Sequence, residues 1–434
     1  VIILLKKLLL KTATICVYRN LLENEAIKSL INLLRMLENP ECTIEQILSS
    51  YCTIYYILLK NNAPGFYEYV KNVACCDENI FSLACEKGVI EGSEGIKELA
   101  KRDLAILRSL ALVKCDDIKN YIKQKFIENR EVYEAVLSLP DWNPMQGDEE
   151  SLEHCFESLV SWYGKNGAGV FSQHSFFTWD GRKQKLVPVK NPDPIALDRL
   201  YLVDSQKETA VKNTEIFLNG MEANNILFYG DRGTGKSSMV KAIANKYYDR
   251  GLRLIEVPKE YLDQIPLITS QLSDRGLKFI LFIDDLAFEN NEEKYTALKA
   301  VLEGGIEHKP SNILLYATSN RRHLVKEKFS DRIGLSSDNP DDEIRARDSM
   351  QEKLSLADRF GITIIFSSPI KNEYLTIVNK MAEEENLEIE PEVLNKKAMQ
   401  WEMMYNGMSP RTARQFINWI KAEMKSGNKS LNRR

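Results

Sequence analysis

Apolar residues recur three and four positions apart through the first third of the chain. In NEAIKSLINLLRMLE (residues 24–38), TIEQILSSYCTIYYILLK (43–60) and GIKELAKRDLAILRSLALV (95–113) this spacing gathers them on one helical face. Each stretch predicts an amphipathic helix, with Thr43 and Ser93 as N-caps. No repeat of fixed period interrupts the pattern, so residues 1–164 read as an all-α N-terminal domain. The opening VIILLKKLLLKTATICVYRNLL is broken by Lys6, Lys7 and Lys11 well short of the roughly 20 apolar residues of a membrane span. It predicts a buried or amphipathic first helix and no membrane contact. It also lacks the architecture of a secretory leader, which makes the cytoplasm the default compartment. The start at Val1 in place of Met reads as an alternative start codon or a trimmed chain.

Past residue 164 the texture changes. YGKNGAGVFSQHSFFTWDGRKQKLVPVKNPDPI brings Gly, Pro and aromatics together, and Asp180-Gly181 between two apolar runs predicts a small hairpin. With Pro188, Pro192 and Pro194 it forms a hairpin and Pro-rich connector over 165–195. LDRLYLVDSQKETAVKNTEIFLNG then reads as one helix stopped by Gly220. Beyond it, ILFY, LRLIEV, KFILFID, NILLYAT and ITIIFSS alternate with helix-period segments. That alternation predicts an α/β core over 196–370, a parallel sheet covered by helices on both faces. From Glu373 onward only helical spacing remains, giving a small helical lid over 371–434.

A chain of 434 residues suits two or three such units. The net charge of −4 provides no global attraction to nucleic acid or to anionic lipid, so any such contact has to be local. All eight cysteines fall within the first 155 residues and include no CxxC pair. They read as buried thiols of helices in a reducing compartment and not as a tetrahedral metal set.

The chemistry concentrates in NNILFYGDRGTGKSSMVKAIANKYY (224–248). Gly230, Gly235, Lys236 and Ser237 match GxxxxGK[ST], with a strand before and a helix after. Backbone N–H groups at such a helix start form a concave anion site, which Gly233, Thr234 and Ser238 complete. Lys236 reaches outer phosphates and Ser237 ligates Mg²⁺. In KFILFIDDL an apolar strand ends in Asp284, positioned to hold the metal, and Asp285, positioned to orient an attacking water. NILLYATSNRR ends in Asn320, or Ser319 if the register slips, where a γ-phosphate would sit. Arg359 in LSLADRFGI is placed to project towards a neighbouring subunit's nucleotide. Arg411 in GMSPRTARQF is placed to close a lid onto phosphates; the permanent charge and planar fork of arginine suit both tasks.

The order of the loop, IDDL, YATSN, ADRFG and SPRTARQF resembles that of the AAA+ ATPases, oligomeric P-loop machines with an α/β core and a helical lid. On that resemblance Lys236 and Ser237 fall on the Walker A positions, Asp284 and Asp285 on Walker B, Asn320 on sensor 1, Arg359 on the arginine finger and Arg411 on sensor 2. DRFG and SPRTAR look like segments of the Holliday-junction branch-migration motor. The run from about 165 to 424 is more closely similar to an uncharacterised bacterial AAA+ family, through FTW, PVKNPDPI, NTEIFL, GTGKSS, DDLAFE, ALKAVLEGGIE and YATSNRRHL. The resemblance implies ATP and Mg²⁺, hydrolysis by a homo-oligomeric ring or arc, and a protein client engaged by the N-terminal helices. Adenine, too, is implied by the resemblance; no guanine-reading Asn-Lys-x-Asp is present, and the base pocket is expected around LDRLYLVD and the lid. One position departs from the usual Asp-Glu ending of Walker B, since Asp285 is shorter than Glu. Either Asp285 works with an adjusted geometry, or Glu289 reaches in, or hydrolysis is slow. The last option makes a nucleotide-gated clamp or scaffold the competing reading. The basic run TSNRRHLVKEK keeps a DNA-remodelling or helicase-loading ATPase as a third.

Overall fold

The computed structural model describes residues 2–127, 129–142, 152–286, 298, 302, 310–320, 359–405 and 407–425. They form two compact units. The first comprises Val1–Gln173 with Arg275–Leu277, and the second His174–Asp274 with Lys278–Arg434.

The first unit is all-α. Its helices are α1 (Ile2–Thr12), α2 (Glu25–Glu38), α3 (Ile44–Lys60), α4 (Phe66–Cys75), α5 (Ile80–Glu86), α6 (Glu94–Ala111), α7 (Cys115–Lys125), α8 (Arg130–Leu137) and α9 (Leu152–Asn166). Periodic apolar positions meet in one core, including Ile27, Leu30 and Leu34 of α2, Ile47, Tyr51 and Ile54 of α3, and Leu107 and Leu110 of α6. Thr43 caps α3 through a reciprocal box with Gln46. Ser93 does not cap α6: a 3₁₀ turn over Ile90–Gly92 leaves its backbone at φ −122°, ψ 56°, outside the extended region that aims a capping hydroxyl at the helix amides. α1 buries Leu5 and Leu8 in the core, and among the described residues no helix is long and apolar enough to cross a membrane. The thiols depart from expectation as well. Only Cys85 and Cys115 are buried, whereas Cys16 and Cys52 are exposed; Cys52 follows fully buried Tyr51 on α3 and lies on the outward side of that helix.

The second unit is a seven-stranded sheet with a helical appendage. The strands are β1 (Phe176–Asp180), β2 (Lys185–Pro188), β3 (Ile226–Gly230), β4 (Leu252–Glu256), β5 (Lys278–Ile283), β6 (Ile313–Ser319) and β7 (Ile362–Phe366), in the order β2-β1-β4-β5-β6-β3-β7. Only the β1–β2 pair is antiparallel. The hairpin, placed by the sequence reading in a connector, is thus the sheet's edge: Phe176 pairs with Leu254, and Trp179 is buried with its indole N–H donating to Gln264. The intervening helices are α10 (Asp204–Leu218), α11 (Lys236–Tyr247) and α12 (Ile265–Leu272). From β3 the chain crosses via α11 to β4, then reverses direction via α12 to β5. Right-handed crossovers therefore put α11 and α12 on opposite faces. Both faces are dry: Phe228, Ile280 and Phe282 pack with α10 and α11, while the alternate residues Leu227, Phe279, Leu281 and Ile283 are equally buried.

The stretch 197–220 is not one helix. A 3₁₀ turn (Leu197–Arg199) is followed by an extended step, with Leu202 at φ 55°, before α10 begins. The reason is packing. Leu200 belongs to the sheet core and Tyr201 to the core of the appendage, and neighbouring residues point to opposite sides only in extended backbone. Gly220 stops α10 as expected, at φ 78°, with its N–H bonded to the Phe217 carbonyl and that of Met221 to Ile216. The appendage is formed by α13 (Lys371–Glu384), α14 (Pro391–Tyr405) and α15 (Pro410–Lys425) around Tyr374, Ile377, Val378, Leu394, Phe416 and Ile420.

In the first unit, fully buried Asp103 on α6 accepts from the amides of Cys16 (2.8 Å) and Val17 (2.6 Å) and faces Arg102 at 3.0 Å. It ties the turn after α1 to α6. Asp103→Ala leaves the buried Val17 amide without its acceptor and is expected to lower unfolding stability by about 2 kcal/mol, measured by urea denaturation followed by helical circular dichroism.

Candidate functional site

Neighbouring strands β3 and β6 send their connections in opposite directions along the sheet. The carboxyl ends of such a pair form a crevice at which α/β sheets bind ligands. The phosphate-loop residues occupy that crevice. β3 ends at Gly230, φ 138°, so close to β7 that a Cβ there would stand 1.8 Å from the Phe366 carbonyl oxygen. Gly233 (φ 78°) and Gly235 (φ 102°) are left-handed, conformations glycine adopts without steric cost, and α11 begins immediately after. Thr234 is buried and its hydroxyl donates to the Asp231 carbonyl at 2.8 Å. Asp231 in turn accepts from the Ser368 amide and hydroxyl, which hold its carboxyl below the usual range. Lys236 is 6% exposed, and its ammonium donates to the carbonyls of Gly230 (2.9 Å) and Asp231 (2.6 Å). Burial pushes its pKa down, against the pull of Asp231, Asp284 and Asp285.

Asp284, just past β5, accepts on one oxygen, Oδ1, from three donors: the Ser237 hydroxyl (2.6 Å), the Thr318 hydroxyl (2.6 Å) and the Asp285 amide (3.1 Å). Asp285 is left-handed at φ 52°, and its amide also reaches Thr318 Oγ1 at 2.8 Å. Its carboxylate is held from two sides, by the Asn320 side-chain amide at 2.5 Å and the Lys259 ammonium at 3.1 Å. Of the two polar candidates ending β6, then, Asn320 reaches Asp285, while Ser319 is fully buried within the strand. Ser237 and Asp284 together supply hydroxyl and carboxylate oxygens. That set is too small for an all-protein cage, and it fits Mg²⁺, a hard cation that keeps waters and takes phosphate oxygens alongside one or two carboxylates.

Lys236, Ser237, Asp284, Asp285, Thr318 and Asn320 line a cleft of about 1170 Å³ together with Ser238, Arg411 and most of residues 193–203. The appendage reaches the loop directly: the Arg411 amide donates to the Gly233 carbonyl at 3.2 Å, and the space beyond Gly233 is closed by Ser409 and the Arg411 side chain. Leu200, Tyr201 and Met381 give the cleft an apolar stretch, and Arg199, Arg232 and Arg414 bring cations to it. Sequence reading missed Thr318, Lys259 and Arg414. Thr318 could have been found as the hydroxyl preceding Ser319-Asn320, but Lys259 carries no local signal because its partner is 26 residues away. Arg359 does not line this cleft. It precedes β7, at the amino ends of the strands, whereas Gly230 pairs with Phe366 at the carboxyl end; the strand alone separates them by about 13 Å. Glu289 and the basic residues 321–328 lie outside the described residues, as do Ala357 and Asp358.

The parallel sheet, the glycine-rich loop at its switch point and the three-helix appendage define an α/β fold of the P-loop type. Residues 172–424 match the family described as "Protein of unknown function (DUF815)", and the chain belongs to that family. No curated protein matches it. Among solved structures, the RuvB Holliday junction branch migration motor of Thermotoga maritima is similar at 18% identity, over 54% of this chain and 66% of that one, with a TM-score of 0.37. This chain thus spans just under two thirds of that motor's length. A mutant of the same RuvB aligns at 16% identity, over 54% and 67%, with a TM-score of 0.38.

Two substitutions test the loop without any ligand. Gly230→Ala forces a Cβ into the β7 backbone and is expected to cost about 3 kcal/mol in urea denaturation. Lys236→Met removes a buried charge and is expected to leave the protein as stable or up to about 1 kcal/mol more so. Because the native pKa of Lys236 is depressed, the unfolded chain binds more protons in the interval up to the free value of about 10.4, so wild-type stability gains from this group as pH rises through that interval. Lys236→Met should lose that gain, as read from melting curves between neutral and alkaline pH.

Proposed function

We propose that the chain binds Mg·ATP in this cleft and hydrolyses it as a homo-oligomer, with Arg359 of one subunit completing the site of the next. The observation that carries the reading is the convergence on Asp284 Oδ1 of Ser237 and Thr318, with buried Lys236 in the same cleft. Triphosphate oxygens would take over the Lys236 ammonium from the Gly230 and Asp231 carbonyls, and the loop amides opened by the left-handed glycines would cradle the outer phosphates. Mg²⁺, on Ser237 and Asp284, would supply charge neutralisation between the phosphate oxygens. Asp285 and Asn320 hydrogen-bond to one another and would jointly orient the attacking water. Arg411, on the lid, would add charge at the phosphates. The apolar stretch of Leu200, Tyr201 and Met381 suits a purine base. The position of Arg359 supports a role in trans: it is too far from this chain's own loop to serve it. The N-terminal helical unit is assigned to a protein client.

A nucleotide-gated clamp with little turnover is the second reading, and one observation favours it. Lys259 neutralises Asp285, the carboxylate that would orient water.

Steady-state hydrolysis over a protein concentration series, with mass measured in parallel, separates the two. The motor reading expects turnover that rises cooperatively with assembly. Arg359→Ala should cut it by about 10³-fold or more while ATP binding persists. Full activity in a dilute monomer would remove Arg359 from the mechanism, and tight binding without turnover would establish the clamp. Saturation to about 100 times Kd should stabilise wild type by about 2.7 kcal/mol and Lys236→Met not at all.

A further inference from the structure

A second cleft, of about 540 Å³, lies within the all-α unit, inside the ~300–1,000 Å³ range of small-ligand pockets. One wall is a face of α4, where Tyr69, Asn72, Val73 and the C-cap residue Cys76 stand at offsets of three, four and seven residues. Asp77 follows, and the 3₁₀ turn Arg19–Glu23 contributes Asn20, Leu21 and Glu23. Two polar side chains of this cleft are buried and incompletely partnered. Tyr69 is 8% exposed, yet its hydroxyl has no hydrogen-bond partner among the described residues and is not sealed from solvent. Buried hydroxyls are ordinarily paired, and this one can find a partner only in the cleft. Asp77 is 7% exposed; its Oδ2 accepts from the Asn79 side-chain amide at 2.6 Å, and its Oδ1 has no donor among the described residues.

The charge around Asp77 is equally one-sided. Burial raises its pKa, the Asn79 bond opposes the rise and Glu78 adds to it; among the described residues no Lys or Arg lines the cleft. A buried carboxylate without a counter-ion is costly, and a cation brought to it removes that cost while favouring the ionised form. Glu23, the other acid of the cleft, is already matched by Lys28 at 2.5 Å. The rim adds acceptors. Asn20, Asn61 and Gln173 each turn the amide nitrogen to a protein acceptor: the carbonyls of Glu78 (3.2 Å) and Ile57 (2.8 Å) and the Cys76 sulfur (2.8 Å). Their carbonyl oxygens take no hydrogen bond from the described residues and remain as acceptors. Asn24 is the exception, because its oxygen caps α2. An unmatched carboxylate, a phenol and amide oxygens thus face a space without cations. Among the described residues no group of three or more His, Cys, Asp or Glu could hold a metal ion, and the volume is that of an organic molecule.

We infer that this cleft binds a small aliphatic primary-ammonium compound, its ammonium held by Asp77 and Tyr69 and its short hydrocarbon part against half-buried Ala63 and Val73. The test uses the full chain and three probes of equal length, pentylamine, pentan-1-ol and pentanoate, each titrated by ligand-observed NMR at neutral pH. Wild type is expected to bind pentylamine saturably and at least about tenfold tighter than pentanol, with no saturable binding of pentanoate. Asp77→Asn keeps an acceptor for Asn79 and should bring pentylamine to the level of pentanol. Tyr69→Phe should weaken pentylamine about threefold or more while leaving the melting temperature unchanged, because the hydroxyl it removes has no protein partner. Circular dichroism melting confirms that each variant is folded. Equal affinity of wild type for amine and alcohol overturns the proposal, as does the absence of saturable amine binding. So does an amine preference that survives in folded Asp77→Asn, or an amine affinity unchanged in Tyr69→Phe. Displacement of pentylamine by stoichiometric Ca²⁺ would reassign the cleft to a metal ion and reject the ammonium class.

Discussion

One carboxylate oxygen joins the three elements on which the site depends. Asp284 Oδ1 accepts from Ser237 in the first turn of α11, from Thr318 near the end of β6 and from the amide of Asp285 beyond β5. Those elements are distant in sequence. They meet because Ile283 pairs with Ala317 and Tyr229 with Ser319, which aligns the carboxyl ends of β5, β6 and β3. Asp284 is half-buried at the cleft, and the three donors on Oδ1 fix that oxygen in place. The donors are thereby held where a cation and its waters would need them. The switch point of the sheet and the register of its strands are therefore conditions for this arrangement of donors.

The lid is bound to the same arrangement by backbone. The Arg411 amide bonds to the Gly233 carbonyl, inside the loop that precedes α11, and Tyr201 reaches from the segment before α10 to Glu384 at the end of α13. Within the lid, Glu385 faces both Arg414 and Lys421, which keep its carboxyl below the ordinary range. The start of α15 thus has no independent position. A displacement of the Gly233 carbonyl acts directly on the first turn of the helix that carries Arg411 and Arg414. That coupling needs no long pathway, because loop and lid share a hydrogen bond.

How much of this was legible in the chain follows from the range of each interaction. The five parallel strands announced themselves as apolar runs, and the phosphate loop as glycines at fixed spacing. Both are local patterns. The edge pairing of β1 with β4 was not visible, since it depends on contacts between residues 176 and 254. The break at Leu200–Tyr201 was hidden for a similar reason: helical spacing continues through it, and only the demand of two separate cores forces it open. In the site, Lys236 and Asp284 stand in recognisable motifs, whereas Lys259 becomes significant only once β4 lies beside β5. Exposed Cys16 and Cys52 show the limit of composition, because a thiol's burial is set by the helix face on which it falls and not by its residue type.

The aspartate at 285, where the resemblance leads one to expect a glutamate, has a backbone explanation. Residue 285 sits at φ 52°, and its amide is drawn towards Asp284 Oδ1 and Thr318 Oγ1. Left-handed backbone costs an L-residue roughly 1–2 kcal/mol, a cost that Asp and Asn offset through local hydrogen bonding and longer side chains such as Glu do not. A glutamate at this position would extend the carboxylate while straining the turn that fastens β5 to β6. Aspartate keeps the turn, and the space left by the missing methylene is bridged by partners that come to the carboxylate, Asn320 from one side and Lys259 from the other. The shorter acid is consequently matched to its backbone.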